Sequence, residues 1–242
     1  MVTACIAMTR AVEAMGLHAD MTAGLSLGEY CAIAAAGGMC DMDAVRTVRS
    51  RGIFMEHAAP EGTGAMSAVL GLDASVIEEV LDGREGVSIA NYNCPGQIVI
   101  TGQAEAVVKA GEALKEAGAR RVLPLKVSGP FDSPMMRPEG EELAKVFAGV
   151  SMNPLKLPYV ANINAEVITD CSKIEELLVA QVSGSVRWQQ SVETMIREGV
   201  DTFIEIGPGK TLTGFLRKID KNVKSYHIGS WEEAVQVCEE LK

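Results

Sequence analysis

Apolar residues recur along this chain either at spacings of three and four or in alternation, and the two rhythms predict its elements. Residues 3–16 read as an amphipathic helix with Ile6, Val12 and Met15 turned inward. A short strand over 20–24 runs into an Ala-rich stretch, Leu27 to Ala36. That stretch reads as a helix stopped by Gly37-Gly38. A further helix fits 43–57, and Pro60, Gly62 and Gly64 break the pattern behind it. Residues 65–127 then keep a rhythm of their own. AMSAVLG is a strand, Asp73 is placed to cap a helix carrying Ile77, Val80 and Leu81, and GVSIANYN and QIVITG are strands joined by a CPG turn. A helix over 104–117 has Val107, Ala110, Leu114 and Ala117 in step, and RRVLPLKV closes the unit with Leu123, Leu125 and Val127 alternating. This βαββαβ order is that of a ferredoxin-like split unit.

Beyond it, Ser133-Pro134 offers a cap and a first-turn proline for a helix over 134–147. KLPYVANIN reads as a strand, 172–183 and 185–198 as helices, TFIEIG as a buried strand, GPGKTLTGFLRKI as a glycine turn into a helix, SYHIGS as a strand and 231–241 as a last helix. Alternating strands and helices imply an α/β domain with a mostly parallel sheet flanked by helices. The expected organisation is therefore a discontinuous large domain, 1–60 and 128–242, with a small subdomain, 61–127, inserted in it.

Composition narrows the function classes. The 242 residues are 48% apolar and 22% charged, with mean hydropathy +0.15, enough for a sizeable core. Acidic residues outnumber basic ones 32 to 22, for a net charge of −10 and a pI near 4.9. A general nucleic-acid or anionic-membrane binder needs the opposite balance. No run approaches the roughly 20 uncharged apolar residues of a membrane span. The six cysteines are scattered, without a CxxC pair or a histidine at metal spacing, so they read as small hydrophobes in a reducing cytoplasm. Neither a metal nor a cofactor is expected.

Chemistry concentrates at Gly24-Leu25-Ser26-Leu27-Gly28, a GxSxG sequence between a predicted strand and helix. Small residues flanking the serine let the backbone turn sharply. The turn projects Oγ, and nearby N–H groups can cradle an oxyanion at a helix N-terminus. GLSLGEYCAI resembles the GHSLGEYSAL elbow of bacterial malonyl-CoA:acyl-carrier-protein transacylases. RGIFMEHAAPEGTGAM, ANYNCPGQIVITG, LPYVANIN, VRWQQSVETM and EIGPGKTLTGFLRKI are similar to that family's other signatures, in the same order. The resemblance covers essentially the whole chain. It implies an α/β-hydrolase-like domain with a ferredoxin-like insert, in which a serine takes malonyl from malonyl-CoA and passes it to the phosphopantetheine thiol of acyl carrier protein.

On that resemblance Ser26 is the nucleophile, the Leu27 backbone N–H serves the oxyanion, and Arg51 pairs with the malonyl carboxylate. A guanidinium fork suits a carboxylate and has nothing to hold on acetyl. Asn93, Gln97 and Asn162 match polar residues lining the family's site, though each is equally read as a turn or strand-end amide satisfying backbone. Gln181 matches the residue whose main-chain carbonyl orients the catalytic histidine. Lys210, Arg217, Lys218, Lys221 and Lys224 form either a dock for an acidic carrier protein or an ordinary solvated helix face.

Three departures stand out. The family's FHSPLM-type segment reads Phe131-Asp132-Ser133-Pro134-Met135-Met136, so Asp132 occupies the general-base position, and Leu25 stands where the elbow usually has histidine. The family's FPGQGSQ-type loop, which supplies a second oxyanion donor, is not in this sequence. An aspartate of ordinary pKa is a poor proton acceptor from serine and competes with malonate for Arg51, so slow transfer is expected. Asp132 and Ser26 are expected in one cleft with Arg51 in reach. Two other classes share the elbow. A serine hydrolase or thioesterase would use Ser26, Asp170 and His227, since His18 and His57 are poorly placed. A pseudoenzyme or binding module would need no base.

Overall fold

The computed structural model describes residues 1–58, 60, 62–127 and 129–241. Helix α1 (Val2–Ala14) buries Val2, Ile6 and Val12, with Met15 half-buried beyond its end. Strand β1 (Thr22–Ala23) leads through the GxSxG turn into α2 (Gly28–Ala35). A helix apolar on every side belongs in the interior. Tyr30, Ile33 and Ala34 of α2 accordingly have no exposed surface, and one charged residue, Glu29, is buried with them. Helix α3 (Asp41–His57) starts at Cys40, whose Sγ accepts the Asp43 N–H, and carries Asp41 and Asp43 in the first turn, where acids favour the helix dipole.

The middle of the chain forms β2 (Gly64–Leu70), α4 (Ala74–Leu81), β3 (Val87–Cys94), β4 (Gln97–Gln103), α5 (Ala104–Glu116) and β5 (Arg121–Pro124). The strands make one antiparallel sheet in the order β3-β4-β2-β5, the arrangement of a split βαββαβ unit. One face packs Val69 and Ile100 on Ile77, Val107 and Leu114 of the two helices. The other face carries Met66, Ala68, Ala90 and Val99 toward Phe131. Details depart from the sequence pattern. Asp73 sits at the start of α4 but its side chain caps nothing. Ala117 lies past the end of α5 and is exposed. Leu123 is exposed on β5, an edge strand paired only with β2, while Leu125 and Val127 lie beyond its end, exposed on the open cleft.

A turn of 3-10 helix (Pro134–Met136) enters α6 (Arg137–Phe147). Ser133 does not cap it; its hydroxyl donates to the Pro130 carbonyl. Then follow β6 (Tyr159–Val160), β7 (Val167–Ile168), α7 (Ile174–Ser183), α8 (Trp188–Arg197), β8 (Thr202–Ile206), α9 (Thr211–Ile219), β9 (Lys224–Ile228) and α10 (Trp231–Glu240). The α/β character is as expected, with parallel pairs β1/β6 and β8/β9, held in two separate ladders; β7 runs antiparallel to β6. The expected strand 156–164 is cut to two residues because the chain turns at Ala161–Ala165, where Ala165 adopts φ 57°. Strand β8 is half-buried, since its sheet has only two strands.

What positions the site is a backbone clasp. Val186 donates its N–H to the Ala90 carbonyl (2.7 Å) and accepts the Tyr92 N–H (2.9 Å), a parallel bridge centred on Asn91. The pairing of β3 with β4 shifts register between Ile89 and Asn91, a bulge of the kind that re-aims side chains. Asn91 is thereby held facing the turn after β1.

Candidate active site

Ser26 adopts φ 47°, a left-handed conformation that costs a non-glycine residue energy and persists only where the surroundings impose it. The two glycines of the motif contribute unequally. A Cβ on Gly24 would lie 2.0 Å from the Gly28 carbonyl oxygen, inside backbone, whereas a Cβ on Gly28 meets nothing within 4 Å. Gly24→Ala should therefore disrupt the turn and abolish labelling of Ser26 by a serine-directed phosphonate, with a stability loss of about 1–3 kcal/mol. Gly28→Ala should keep both labelling and melting temperature. Equal effects from the two would show that the turn is not held by this contact.

Two further side chains converge on the Ser26 hydroxyl, and a third holds one of them. Arg51, on α3 and only 6% exposed, donates from Nη2 to Ser26 Oγ at 3.1 Å and to Gln181 Oε1 at 3.4 Å. Its guanidinium lies over the Tyr30 ring, 6.0 Å from the centroid. Asp132 presents Oδ1 to the Ser26 hydroxyl at 3.4 Å and to Arg51 Nη2 at 3.9 Å. Its other oxygen accepts from Asn91 Nδ2 at 2.8 Å. Asp132 too has a positive φ, 52°. Burial pushes its carboxyl above the usual aspartate range, against the lowering influence of Arg51, Asn91 and Ser26. These groups open on a cleft of about 530 Å3 whose other walls include Met55, Glu56, Met66, Leu125 and Val127.

Beneath them lies a polar floor that holds the turn rather than facing the cleft. Asn162, expected to line the site, is fully buried and spans the elbow: Oδ1 accepts the Ser26 N–H at 2.6 Å and Nδ2 donates to the Gly24 carbonyl at 2.8 Å. Gln181, expected to act through its main-chain carbonyl, works through its side chain. Nε2 donates to the Ser26 carbonyl (2.9 Å) and to Glu29 Oε2 (2.8 Å), while the main-chain carbonyl accepts the Gly184 N–H. A carboxylate at 132 has no N–H to give a carbonyl, and Asn91 is its partner instead.

Glu29 is the unanticipated member. Full burial raises its pKa to about 8, despite hydrogen bonds from Asn162 and Gln181 and the nearby charge of Arg51. Its carboxyl ionises near 4.5 when exposed, so folding takes up a proton between those two values, and stability falls as pH rises through that window. The slope is at most about 1.4 kcal/mol per pH unit. Glu29→Gln should flatten it, read from urea midpoints between about pH 5 and about pH 9. An unchanged slope would mean that Glu29 stays ionised in the fold.

Not every expected residue joins the cluster. The Leu27 N–H makes no hydrogen bond among the described residues. Asn93 is buried on β3 and is hydrogen-bonded to none of Ser26, Arg51 or Asp132 among the described residues, and Gln97 accepts from Lys218 Nζ at 3.2 Å, on the side of α9. Leu25 packs with Trp188, Val192 and Phe215. The alternative triad does not assemble: His227 is held between the Gly207 carbonyl (3.0 Å) and Glu233 (3.2 Å), while Asp170 accepts the Ser172 N–H. Sequence reading missed Asn91 and Glu29. The signal for Glu29 was one carboxylate in an otherwise apolar helix. For Asn91, two residues from Asn93, only the bulge in β3 decides which amide meets the cleft.

Residues 1–237 match the acyl transferase domain family. Malonyl CoA-acyl carrier protein transacylase of Bacillus subtilis (strain 168) is 44% identical over 246 residues, spanning 100% of this chain and 78% of that protein. Its namesake in Escherichia coli (strain K12) is 45% identical over 90% of this chain and 72% of that protein. The crystal structure of MCAT from Streptococcus pneumoniae superposes with a TM-score of 0.94 at 42% identity, over 99% of this chain and 79% of that one. A malonyl-transacylase in complex with its type II PKS acyl-carrier protein gives a TM-score of 0.93 at 38% identity, over 99% and 79% of the two chains. With serine, arginine and the position-132 side chain on one cleft wall, and similarity along almost its whole length, the chain belongs to the malonyl CoA-acyl carrier protein transacylase family of acyl transferases.

Proposed function

We propose that this chain transfers malonyl from malonyl-CoA to the phosphopantetheine thiol of acyl carrier protein through a malonyl ester on Ser26, slowly for its family. The observation that carries this is the Arg51 guanidinium 3.1 Å from the Ser26 hydroxyl inside the cleft. There it can pair with a carboxylate on an acyl group attached at Oγ. Ser26 would attack the thioester carbonyl, the Leu27 N–H would receive the oxyanion, and CoA would leave as thiolate. Asp132 would take the serine proton, with two handicaps. It sits at 3.4 Å, long for proton transfer, and its charge already answers part of Arg51.

We read residues 61–127 as an inserted subdomain and 1–60 with 128–242 as the acyltransferase domain, the cleft lying between them. Lys210, Arg217, Lys218 and Lys221 are exposed on and beside α9 and suit the acidic surface of a carrier protein. All six cysteines are unpaired, in keeping with a reducing cytoplasm, and no described helix is long and apolar enough to cross a membrane. Intact-mass spectrometry after incubation with malonyl-CoA tests the reading. One added malonyl group, absent in Ser26→Ala and removed by holo-acyl carrier protein, is expected. A chain that binds malonyl-CoA without ever being acylated would instead be a binding module of the same family.

A further inference from the structure

Two carboxylates compete for one guanidinium in this cleft. Arg51 is the cation among the cleft-lining residues, and Asp132 and Glu56 are the acids. Arg51 Nη2 already donates to Ser26 Oγ and Gln181 Oε1, and Asp132 Oδ1 stands 3.9 Å from it. Arg51 and Asp132 are both about nineteen-twentieths buried, so water screens them little. A malonyl group brings a second carboxylate to the same guanidinium, within a few ångströms of Asp132. Like charges that close, out of water, cannot both stay ionised, and one of the pair holds a proton.

We propose, resting on the malonyl reading above, that malonyl-CoA binding and protonation of Asp132 are a single linked event: the substrate carboxylate takes Arg51, and Asp132 takes a proton from solvent. The protonated Asp132 then donates from its O–H, either to the malonyl carboxylate or to Ser26 Oγ, while Asn91 Nδ2 keeps its bond to the other oxygen. One O–H bond forms at Asp132 Oδ1 as one breaks in a solvent or buffer acid, and no bond to carbon changes. Burial prepares the step, because it already favours the neutral form of Asp132. Other charges facing this carboxyl come from α3, as Arg51 and Glu56, and from α2, as Glu29 behind Gln181. Glu29, with its pKa at about 8, is largely neutral at pH 7 but ionises in the alkaline range, where its own proton uptake has to be separated from that of Asp132.

Linkage fixes the direction. Where Asp132 is ionised in the free protein, malonyl-CoA affinity falls tenfold per unit rise in pH, while acetyl-CoA, which brings no second carboxylate, shows no such slope. Selectivity for malonyl over acetyl therefore rises as pH falls. Yet the state that holds malonyl best has its base already protonated and cannot accept the Ser26 proton, so affinity and acylation rate move in opposite directions with pH.

The test is calorimetric titration of the full chain carrying Ser26→Ala, which blocks acylation, with malonyl-CoA and acetyl-CoA in buffers of different ionisation enthalpy. Uptake approaching one proton is expected for malonyl-CoA at alkaline pH and none for acetyl-CoA. Asp132→Asn should abolish the uptake and tighten malonyl-CoA binding at least tenfold at that pH. Glu29→Gln and Glu56→Gln should leave the uptake intact, and loss of it in either would assign the proton there and overturn the proposal. Equal proton counts for the two thioesters would overturn it while leaving malonyl transfer standing, and failure of malonyl-CoA to bind would overturn both. Should Asp132→Asn not fold, the pH profile of the malonyl-to-acetyl KM ratio in the unmodified chain decides, a flat ratio overturning the proposal.

Discussion

Asp132→His is expected to accelerate malonyl transfer to holo-acyl carrier protein by about 10²–10⁴-fold, the usual contribution of a well-placed general base. Imidazole differs from the carboxylate in two ways that add. Its pKa near 6.5 lets it accept the Ser26 proton and return it to a leaving thiolate near neutral pH. Neutral, it also withdraws the anion that stands 3.9 Å from Arg51. The backbone allows the change, because φ 52° at this position suits histidine as it does aspartate. Asn91, now donating to Asp132 Oδ2, can turn its amide to accept the imidazole N–H and fix the tautomer. Asp132→Asn is the control, since it removes the charge without supplying a base. A gain from asparagine equal to that from histidine would show that only the competing charge had been limiting. Leu25→His is a second step of smaller effect, because Leu25 packs into the apolar cluster of Trp188, Val192 and Phe215.

The sequence made the scaffold readable where local rules act alone. Helix α5 follows from Val107, Ala110 and Leu114 at spacings of three and four, and all three are buried. The βαββαβ order needed only alternation in its strands, three-and-four spacing in its helices and the CPG turn between two strands. The elbow was visible as GxSxG, though only the fold shows that Gly24 meets the Gly28 carbonyl and that Gly28 meets nothing. Polar residues were harder, because an amide or carboxylate carries no periodicity that says whether it faces substrate or backbone. Asn162 looks like a site-lining amide and Gln181 like a residue acting through its main-chain carbonyl, and the side chains of both brace the Ser26 backbone; Glu29, which holds Gln181, showed only as one carboxylate in an apolar helix. Asn91 is aimed by a β-bulge and by the clasp to Val186, a contact 95 residues away in sequence that no local pattern could announce.

Arg51→Ala, made in the Asp132→His background so that no carboxylate is left stranded beside it, should lower kcat/KM for malonyl-CoA about 10²–10³-fold. Acetyl-CoA turnover should change only a few-fold. The magnitude is that of removing one member of a buried, hydrogen-bonded charge pair, about 2–5 kcal/mol, and only malonyl brings the other member. Arg51→Lys should recover part of the malonyl preference, since it keeps the charge but not the fork that engages both carboxylate oxygens. Arg51 also touches Ser26 Oγ and Gln181 Oε1, so a purely architectural role is a real competitor. The acyl group separates the two. A scaffold that props up Ser26 serves every thioester alike, so equal losses with malonyl and acetyl would assign Arg51 to the elbow and leave the malonyl carboxylate without a partner. A loss confined to malonyl, partly restored by lysine, requires that the guanidinium meet the substrate itself.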